Sequence, residues 1–271
     1  MDGWGSARTP ADQFRAPIVF EQLPSFEPAG IVFSACGHGA MRRLIVFLLI
    51  SAALPSPARP AACSESPSVQ QVIAQMDERG QARSALLAQY ACLRRYALTN
   101  LRFHKTAELS VRMTYTYPGH KTFEVLSERG LSIVRQRVLK KMLEAEEEAS
   151  RDGIRESTQI SPRNYDFRLT GVEMQQGRPA YVLEIAPKRV NKFLMRGRVW
   201  VDCEDFAIMR VEAAPAVTPS VFIHNIHVVQ QYVKVGPVWL PLYNHSMSDS
   251  FFFGHTDVAI DSSDYEIAQK K

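Results

Sequence analysis

Histidines are the side chains of this sequence whose spacing comes nearest to that of a metal or catalytic site. His224 and His227 stand three residues apart in a stretch with the composition of a strand. Successive side chains of a strand point to opposite faces, so this spacing predicts two imidazoles that cannot share one ion. The other candidates fall near predicted turns, with no evident acidic or thiol partner: His104, His120, His245 and His255.

A run of carboxylates at the end of a predicted helix is the second candidate group: Glu144, Glu146, Glu147 and Glu148. Clustered carboxylates can bind a metal ion, but a charge run is more often a solvated helix face, and we interpret this one as solvated. None of the motifs GxSxG, GxGxxG, HExxH or a P-loop occurs. We therefore predict a protein that is not an enzyme and uses neither a cofactor nor a metal.

The composition of the 271 residues, with 46% hydrophobic and 22% charged, is that of an ordinary globular protein. The net charge of +4 is small and the basic residues are scattered, so no nucleic-acid partner is predicted. One basic stretch, from Pro187 to Lys192, lies between two predicted strands. It is either a solubilising loop or an edge that faces anionic lipid headgroups, formed by Lys188, Arg189 and Lys192.

The main targeting signal is internal. Met41-Arg42-Arg43 is followed by an apolar run over 44–54 and by small residues up to Cys63. This order predicts a secretory signal peptide over 41–63, and its apolar run is too short to span a bilayer. Residues 1–40 are then an upstream extension, either a start-site over-call or a disordered segment. Residues 64–271 remain as one exported domain in the periplasm.

The cysteines leave two questions open. Ala61-Ala62-Cys63 resembles the end of a lipobox, which would place a lipid anchor on Cys63 in the outer membrane. Pro60 stands where a lipobox has leucine, so ordinary cleavage near Ala62 is the alternative. In an oxidising compartment Cys92 and Cys203 either pair or remain two separate buried thiols, and we favour the second.

Helical spacing occurs in two segments. A helix is predicted from Ser68 to Thr99, capped by Ser66 or Ser68 and either broken or bent at Gly80. Residues 133–150 form the second helix, in which basic residues precede acidic ones. That order opposes the helix dipole, so burial of an apolar stripe must hold this helix, and it can cover the concave side of a curved sheet.

Period-two alternation dominates the rest of the chain. A central hairpin is predicted over 193–212, with an acidic turn at Cys203-Glu204-Asp205. The clearest strand begins at Ala107 and turns at Pro118-Gly119-His120 into a second strand over 122–127. Its alternation places Leu109, Val111, Met113 and Tyr115 on a cavity face, and Ser110, Arg112 and Thr114 on the water face.

Further strands are predicted over 165–170, 180–185, 221–235, 238–244 and 258–265, and Phe251–Phe253 is either a short strand or an apolar loop. The count is about nine or ten strands, joined mostly by short turns. We predict an α+β fold, mostly antiparallel β, as a closed barrel or an open half-barrel with helices over its concave face.

These features resemble a known family. A signal peptide, an N-terminal helix and a meandering sheet accompany Gly197–Asp202 (GRVWVD), Ile208–Glu212 (IMRVE) and the hairpin over 165–185. Over roughly residues 68–267 the chain resembles the LolA/LolB-like outer-membrane lipoprotein-sorting proteins. The resemblance implies an open β-barrel whose helices lid a hydrophobic cavity for lipoprotein acyl chains, and a lid arginine that no motif here locates.

The predicted function is a non-catalytic periplasmic carrier, or an outer-membrane acceptor, for acyl chains of lipoproteins or for another lipid. Its partners would include membrane-associated donor and acceptor proteins. Its predicted cavity is lined by Leu109, Val111, Met113, Tyr115, Val199 and Val201. The alternative is a structural or sensory protein of the same fold, whose cavity is filled by its own side chains and which binds a partner protein.

Overall fold

The computed structural model describes residue 63 and residues 67–132, 135–150, 152–191, 193–218 and 221–270. The predicted extension over 1–40 lies outside the described residues, as do Lys192 and all of the predicted signal peptide except Cys63. None of the helices in the described ranges is long and apolar enough to cross a membrane.

Ten antiparallel strands form one open sheet in the order β3-β2-β1-β10-β9-β8-β7-β6-β5-β4. Most neighbours in the sheet are also neighbours in sequence, as short turns require. The predicted half-barrel of about nine or ten strands is confirmed. The strands are β1 (Leu87–Asn100), β2 (Lys105–Thr116), β3 (His120–Gly130), β4 (Tyr165–Gln175), β5 (Arg178–Pro187), β6 (Met195–Asp202), β7 (Ile208–Pro215), β8 (Ile223–Val235), β9 (Val238–Ser250) and β10 (Gly254–Gln269).

The helices lie at two places in the chain. Helix α1 (Val69–Leu86) precedes the sheet, and a π-helical turn (Arg135–Leu139), α2 (Lys140–Ser150) and α3 (Asp152–Thr158) lie between β3 and β4. Ser68 begins α1 with a capping box. Its hydroxyl accepts from the Gln71 backbone N–H at 3.2 Å, and the Gln71 side chain accepts from the Ser68 N–H at 2.7 Å.

The predicted helix over 68–99 is wrong beyond Leu86. Residues 87–100 form β1, which pairs with β10 on one side and β2 on the other. Leucine, arginine and alanine in this stretch suit a helix, but Tyr90, Cys92 and Arg94 begin a period-two burial pattern. Pairing on both sides overrides the local helix preference. Gly80 lies inside α1 without ending it.

The central hairpin is confirmed as β6 and β7. The Asp202 side chain fixes its turn by accepting from the backbone N–H groups of Glu204 (3.0 Å) and Asp205 (2.6 Å). A bulge lies in this pair, because Trp200 pairs with Arg210 whereas Val201 pairs with Ile208. The simple alternation predicted for the second strand is therefore wrong before Arg210.

The pairing register defines which side chains share a face, because residues directly opposite in a sheet point to the same side. One row crosses seven strands: Val199, Val211, Gln230, Asn244, Ile260, Tyr96 and Leu109. Helices α1 and α2 both pack on this side, which we call the inner face. The prediction that helices cover one face of the sheet is confirmed.

Cys63 forms a disulfide with Cys203, which lies in the β6–β7 turn, and Cys92 is a buried free thiol. The alternative of a Cys92–Cys203 pair is therefore wrong, and the favoured alternative of two separate thiols holds for Cys92 alone. A lipid anchor would attach through a thioether to the Cys63 sulfur. The disulfide uses that sulfur, so the two modifications exclude each other.

Replacing Cys63 with serine tests the disulfide. The two cysteines are 140 residues apart, and closing a loop of that size stabilises a protein by up to about 5 kcal/mol by restricting the unfolded chain. We expect Cys63→Ser to lower the free energy of unfolding by an amount of that order, measured by urea denaturation. Reductant should lower the wild type to the level of the variant and leave the variant unchanged. Equal stability of the oxidised wild type and the variant would contradict the disulfide.

Candidate functional site

The inner face carries an apolar trough beneath α1. The trough is formed by strands β4 to β7, and Val72 of α1 closes it from above. The members of this cluster are exposed by 4% or less: Tyr165, Tyr181, Leu183, Ile185, Leu194, Val199, Val201, Val211 and Ala213. We call this set the α1 trough. Most of it is aliphatic, which suits hydrocarbon.

Helix α1 covers the trough with few apolar contacts. Val72 is its one fully buried side chain among 18 residues, while Val69 and Met76 are partly buried. The helix is otherwise tied by polar contacts to the β6–β7 turn. Arg83 donates to the Asp205 carbonyl at 2.6 Å, and Arg79 lies 4.9 Å from the centre of the Phe206 ring. The helix is therefore held firmly near its end and lightly over the trough.

A second apolar region lies under α2, on strands β1, β2 and β10. Leu139 and Leu143 pack there on a cluster that contains Leu109 and Val111. Met113 belongs to a third cluster, with Tyr90, and Tyr115 stacks on Tyr90 at a ring distance of 5.1 Å.

The structure therefore divides the six predicted cavity residues among three clusters. Val199 and Val201 lie in the α1 trough, Leu109 and Val111 lie under α2, and Met113 and Tyr115 lie between β1, β2 and β9. Five of the six are buried and Tyr115 is half-buried, so the predicted alternation of β2 is confirmed. That these residues line a ligand cavity stays a prediction.

A polar waist separates the apolar regions of the inner face. It is formed where β8, β9 and β10 cross the middle of the sheet, by Gln230, Asn244, Ser246 and Ser262. Asn244 is 2% exposed and Ser262 is 5% exposed. Within the part of the chain that is described, Asn244 Oδ1 and Ser262 Oγ have no hydrogen-bond partner in the protein. Leaving such a group unpaired costs about 1–3 kcal/mol, so a water or a ligand group that supplied the missing hydrogen bond would be stabilising.

The polar waist was not predicted from the sequence. Its signal was present in β9, where Asn244 and Ser246 occupy positions that the burial pattern assigns to the inner face. The predicted strand ended at Asn244, before the pattern becomes visible.

An ionised cluster joins α2 to the sheet beside the waist. Glu146 Oε1 lies 2.7 Å from Arg94 Nη1 and 2.6 Å from Lys121 Nζ, and Glu146 Oε2 accepts from the Tyr96 hydroxyl at 3.2 Å. Arg94 and Glu146 are each 3% exposed. Burial opposes ionisation of Glu146, but Arg94 and Lys121 outweigh that effect and lower the pKa of Glu146 from 4.5 to about 2.

The interpretation of the carboxylate run as a solvated face is therefore wrong for Glu146, although Glu144 is exposed. The pairing of Glu146 with Arg94 also explains how a helix whose charges oppose its dipole is held: its acidic end is neutralised by the sheet. The Arg94–Glu146 contact depends on β1 being a strand, which the helix prediction concealed.

The outer face carries histidine–aspartate pairs. His245 Nε2 lies 2.9 Å from Asp257 Oδ1, and His255 Nδ1 lies 2.8 Å from Asp249 Oδ1. The prediction that these histidines have no acidic partner is wrong, because each partner comes from the neighbouring strand. The hydrogen bond that the Asp249 carboxylate accepts raises the pKa of His255 above 6.5; burial opposes this rise, and the charge of Asp257 adds to it.

His224 and His227 were predicted to face opposite sides of their strand. A register irregularity lies between them, at Asn225 with φ of +50°. His224 pairs with Asp249 and His227 with Met247, so both histidines share the outer face. Even so, no group of three or more His, Cys, Asp or Glu side chains within the described ranges is placed to hold a metal ion.

The predicted basic edge is tied to a neighbouring turn. Lys188 Nζ donates to the Pro162 carbonyl at 2.7 Å, and Arg189 Nη2 donates to Asn164 Oδ1 at 2.8 Å. Next to this edge lies a depression of about 430 Å³ whose lining mixes charged and apolar residues. It is lined by Asp166, Phe167, Arg168, Glu184, Ile185, Ala186, Arg196, Gly197 and Arg198.

Comparison with solved structures finds similar chains. A DUF1329 family protein from Desulfovibrio piger is 12% identical with a TM-score of 0.44, covering 74% of this chain and 94% of that one. An outer membrane lipoprotein-sorting protein domain from Vibrio parahaemolyticus is 12% identical with a TM-score of 0.39, covering 74% and 93%. A LolA superfamily protein from Nitrosomonas europaea is 11% identical with a TM-score of 0.39, covering 76% and 96%. Likeness at this level carries no functional assignment.

No protein-family model matches the chain, and no curated protein matches it in sequence.

The Glu146 cluster makes a prediction about stability. Glu146→Gln removes the charge that neutralises buried Arg94, and breaking such a pair costs about 3–5 kcal/mol at pH 7. The lowered pKa means that the contribution of the wild-type carboxylate is present above pH 4.5 and is lost as the pH falls towards 2. The variant should therefore be less stable at pH 7 and lose less stability on acidification, in urea unfolding across that pH range.

Glu144→Gln is the matched control, because Glu144 is exposed on the same helix. It should unfold as the wild type does at every pH. Equal stability of the Glu146 and Glu144 variants at pH 7 would contradict the cluster.

Proposed function

We propose that this protein binds an acyl chain of a lipoprotein, or of another lipid, on its inner face and carries it without catalysis. The single observation that supports this is the pairing register of the sheet. It sets the apolar α1 trough directly beside a polar waist that has buried unpartnered oxygens. An acyl lipid has the same order of parts, a hydrocarbon chain attached to a polar group.

The acyl chain would enter by lifting α1 off the strands of the trough, and α1 would then cover the bound chain. Full burial of a valine is worth about 1.5–3 kcal/mol, and each buried methylene is worth about 0.8 kcal/mol. Two to four methylenes would therefore roughly offset the loss of the Val72 contact. An acyl chain is longer than that, so its remaining methylenes can also offset the partial burial of Val69 and Met76.

The polar group of the ligand would lie at the waist. Asn244 Oδ1 accepts a hydrogen bond, and the Ser262 hydroxyl can donate or accept one. A hydroxyl or amide N–H near the first carbons of the chain would supply the missing partners. Hydrogen bonds between the ligand and these two buried groups would add a directional contribution to the hydrophobic affinity.

An oxidising, extracytoplasmic compartment is the proposed location. The Cys63–Cys203 disulfide favours it, and so does the predicted signal peptide over 41–63. Because the disulfide occupies the Cys63 sulfur, we propose a soluble carrier with cleavage near Ala62 rather than a lipid-anchored acceptor. Membrane-associated proteins would deliver and receive the cargo.

One observation favours the alternative of a structural or sensory protein that binds a partner. Leu109, Val111 and Met113 are at most 1% exposed, because the protein's own side chains cover them. If α1 never leaves the trough, the inner face is simply a core. Acyl binding by the folded protein separates the two functions.

A matched pair of variants on α1 tests the proposed site. Met76 is partly buried against the trough, whereas Ala74 is exposed on the same helix. Because α1 would cover the bound chain, Met76→Glu puts a carboxylate against the acyl methylenes, and the affinity for a fluorescent fatty-acid probe should fall by at least about tenfold. Ala74→Glu adds the same charge on the water side and should bind the probe as the wild type does.

Circular dichroism would establish that both variants are folded, which the partial exposure of Met76 leads us to expect. Equal affinity of the two folded variants would show that the chain does not lie under α1. Failure of the wild type to bind any acyl probe would favour the self-filled core and the partner-binding function.

A further inference from the structure

One end of the sheet carries a cluster of exposed aromatic side chains that the proposed carrier function does not use. Five phenylalanines lie there and are 42–73% exposed: Phe103, Phe222, Phe251, Phe252 and Phe253. We call this set the aromatic end. At about 200 Å² per ring, it presents on the order of 500 Å² of apolar surface, which is more than isolated exposed residues account for.

Three separate chain segments build the aromatic end. They are the turn between β1 and β2, the turn between β9 and β10, and the residues before β8. Register brings them together, because Asn100 pairs with both Lys105 and Thr256, and Ser250 pairs with Ile223. The rings also meet across the segments, with centroids 5.1 Å apart for Phe222 and Phe252 and 6.5 Å apart for Phe103 and Phe253.

Several backbone N–H and C=O groups of these segments form hydrogen bonds within the protein. Buried Asn100 donates from Nδ2 to the Phe253 carbonyl at 2.8 Å and accepts from the Phe103 N–H at 2.9 Å. The Phe251 N–H donates to the Phe222 carbonyl at 3.0 Å, and Arg102 Nη1 donates to the Phe251 carbonyl at 3.1 Å. Transfer of paired backbone groups into an apolar medium avoids the cost that unpaired groups incur.

Basic residues lie at the aromatic end. Arg102 is in the turn between β1 and β2, Lys105 directly follows that turn, and both are exposed. The acidic residue nearest in register, Asp249, is hydrogen-bonded to Asn225 and His255. Basic residues near an anionic membrane surface each contribute about 1 kcal/mol of attraction. Projecting phenylalanines with basic neighbours match the boundary between acyl chains and anionic headgroups.

We propose that the aromatic end docks on the surface of an anionic phospholipid bilayer, with its phenylalanine rings inserted among the headgroups. The docking surface is separate from the α1 trough, and it would bring a carrier to the membrane without requiring a ligand in the trough. Because probe binding in solution and vesicle docking are measured independently, the failure of either proposal is distinguishable from that of the other.

The test is co-sedimentation of the full chain with vesicles of phosphatidylethanolamine and phosphatidylglycerol, and with vesicles of phosphatidylcholine alone. The wild type should bind the anionic vesicles more tightly, and salt should weaken that binding. The double variant Phe251→Ser, Phe252→Ser should bind at least about tenfold more weakly to either vesicle. Lys105→Gln should weaken binding to the anionic vesicles by about fivefold.

The matched control is Val172→Ser, Met174→Ser. These β4 residues are 52% and 61% exposed and lie outside the aromatic end, so the control removes apolar surface without touching it. It should bind vesicles as the wild type does. Docking at the aromatic end is overturned if the wild type sediments with neither vesicle, if the phenylalanine variant binds normally, or if the control loses as much binding.

A second readout does not depend on removing side chains. Phe252→Trp keeps an aromatic ring in the turn, and its added fluorescence should shift to the blue when anionic vesicles are present. An unchanged emission would leave Phe252 in water and overturn the proposal. A protein partner at this surface, rather than a membrane, would give the same unchanged emission.

Discussion

The structure depends on one constraint. Few residues are available to cover one face of its ten-stranded open sheet and to shield that face from water. A closed barrel would cover that face with its own opposite wall, but here the sheet ends at β3 and β4. The covering falls to α1 and to the helical segment over 135–150. Helix α1 does so with one fully buried side chain, so the cover over its half of the face is light.

The two halves of the inner face solve this problem differently. Under α2, Glu146 forms buried ion pairs with Arg94 and Lys121 that hold the helix in one orientation. Breaking these pairs would lower the stability of the protein. Over the α1 trough there is no comparable charge contact in the described residues, and the anchors of α1 lie at the β6–β7 turn. The polar waist between the halves is a boundary, where hydrocarbon contact ends and hydrogen bonding begins. This asymmetry is the reason why the proposed ligand entry lies in the α1 half, and why the α2 half is interpreted as a fixed core.

Sequence reasoning succeeded where the pattern is local. Strands β2 and β6 carry their alternation within a few residues, so their faces could be assigned correctly, whereas the bulge in β7 could not be predicted. It failed where the deciding partner is distant. The buried position of Arg94 in a strand is explained only by its contact with Glu146. Cys63 and Cys203 are far apart in sequence and come together only in the folded sheet. The waist and the histidine–aspartate pairs depend on register between β9 and β10, which periodicity does not supply.

The central proposal is that the inner face takes up a lipid, and native mass spectrometry of the protein purified from its native cells tests it most directly. The account predicts a species heavier than the polypeptide by the mass of an acyl lipid, released under stronger collisional activation and recovered by organic extraction. Because the trough is apolar, the extract should contain hydrocarbon chains rather than a free polar metabolite. A single species at the mass of the polypeptide alone, under conditions that preserve a known lipid complex, would contradict the account.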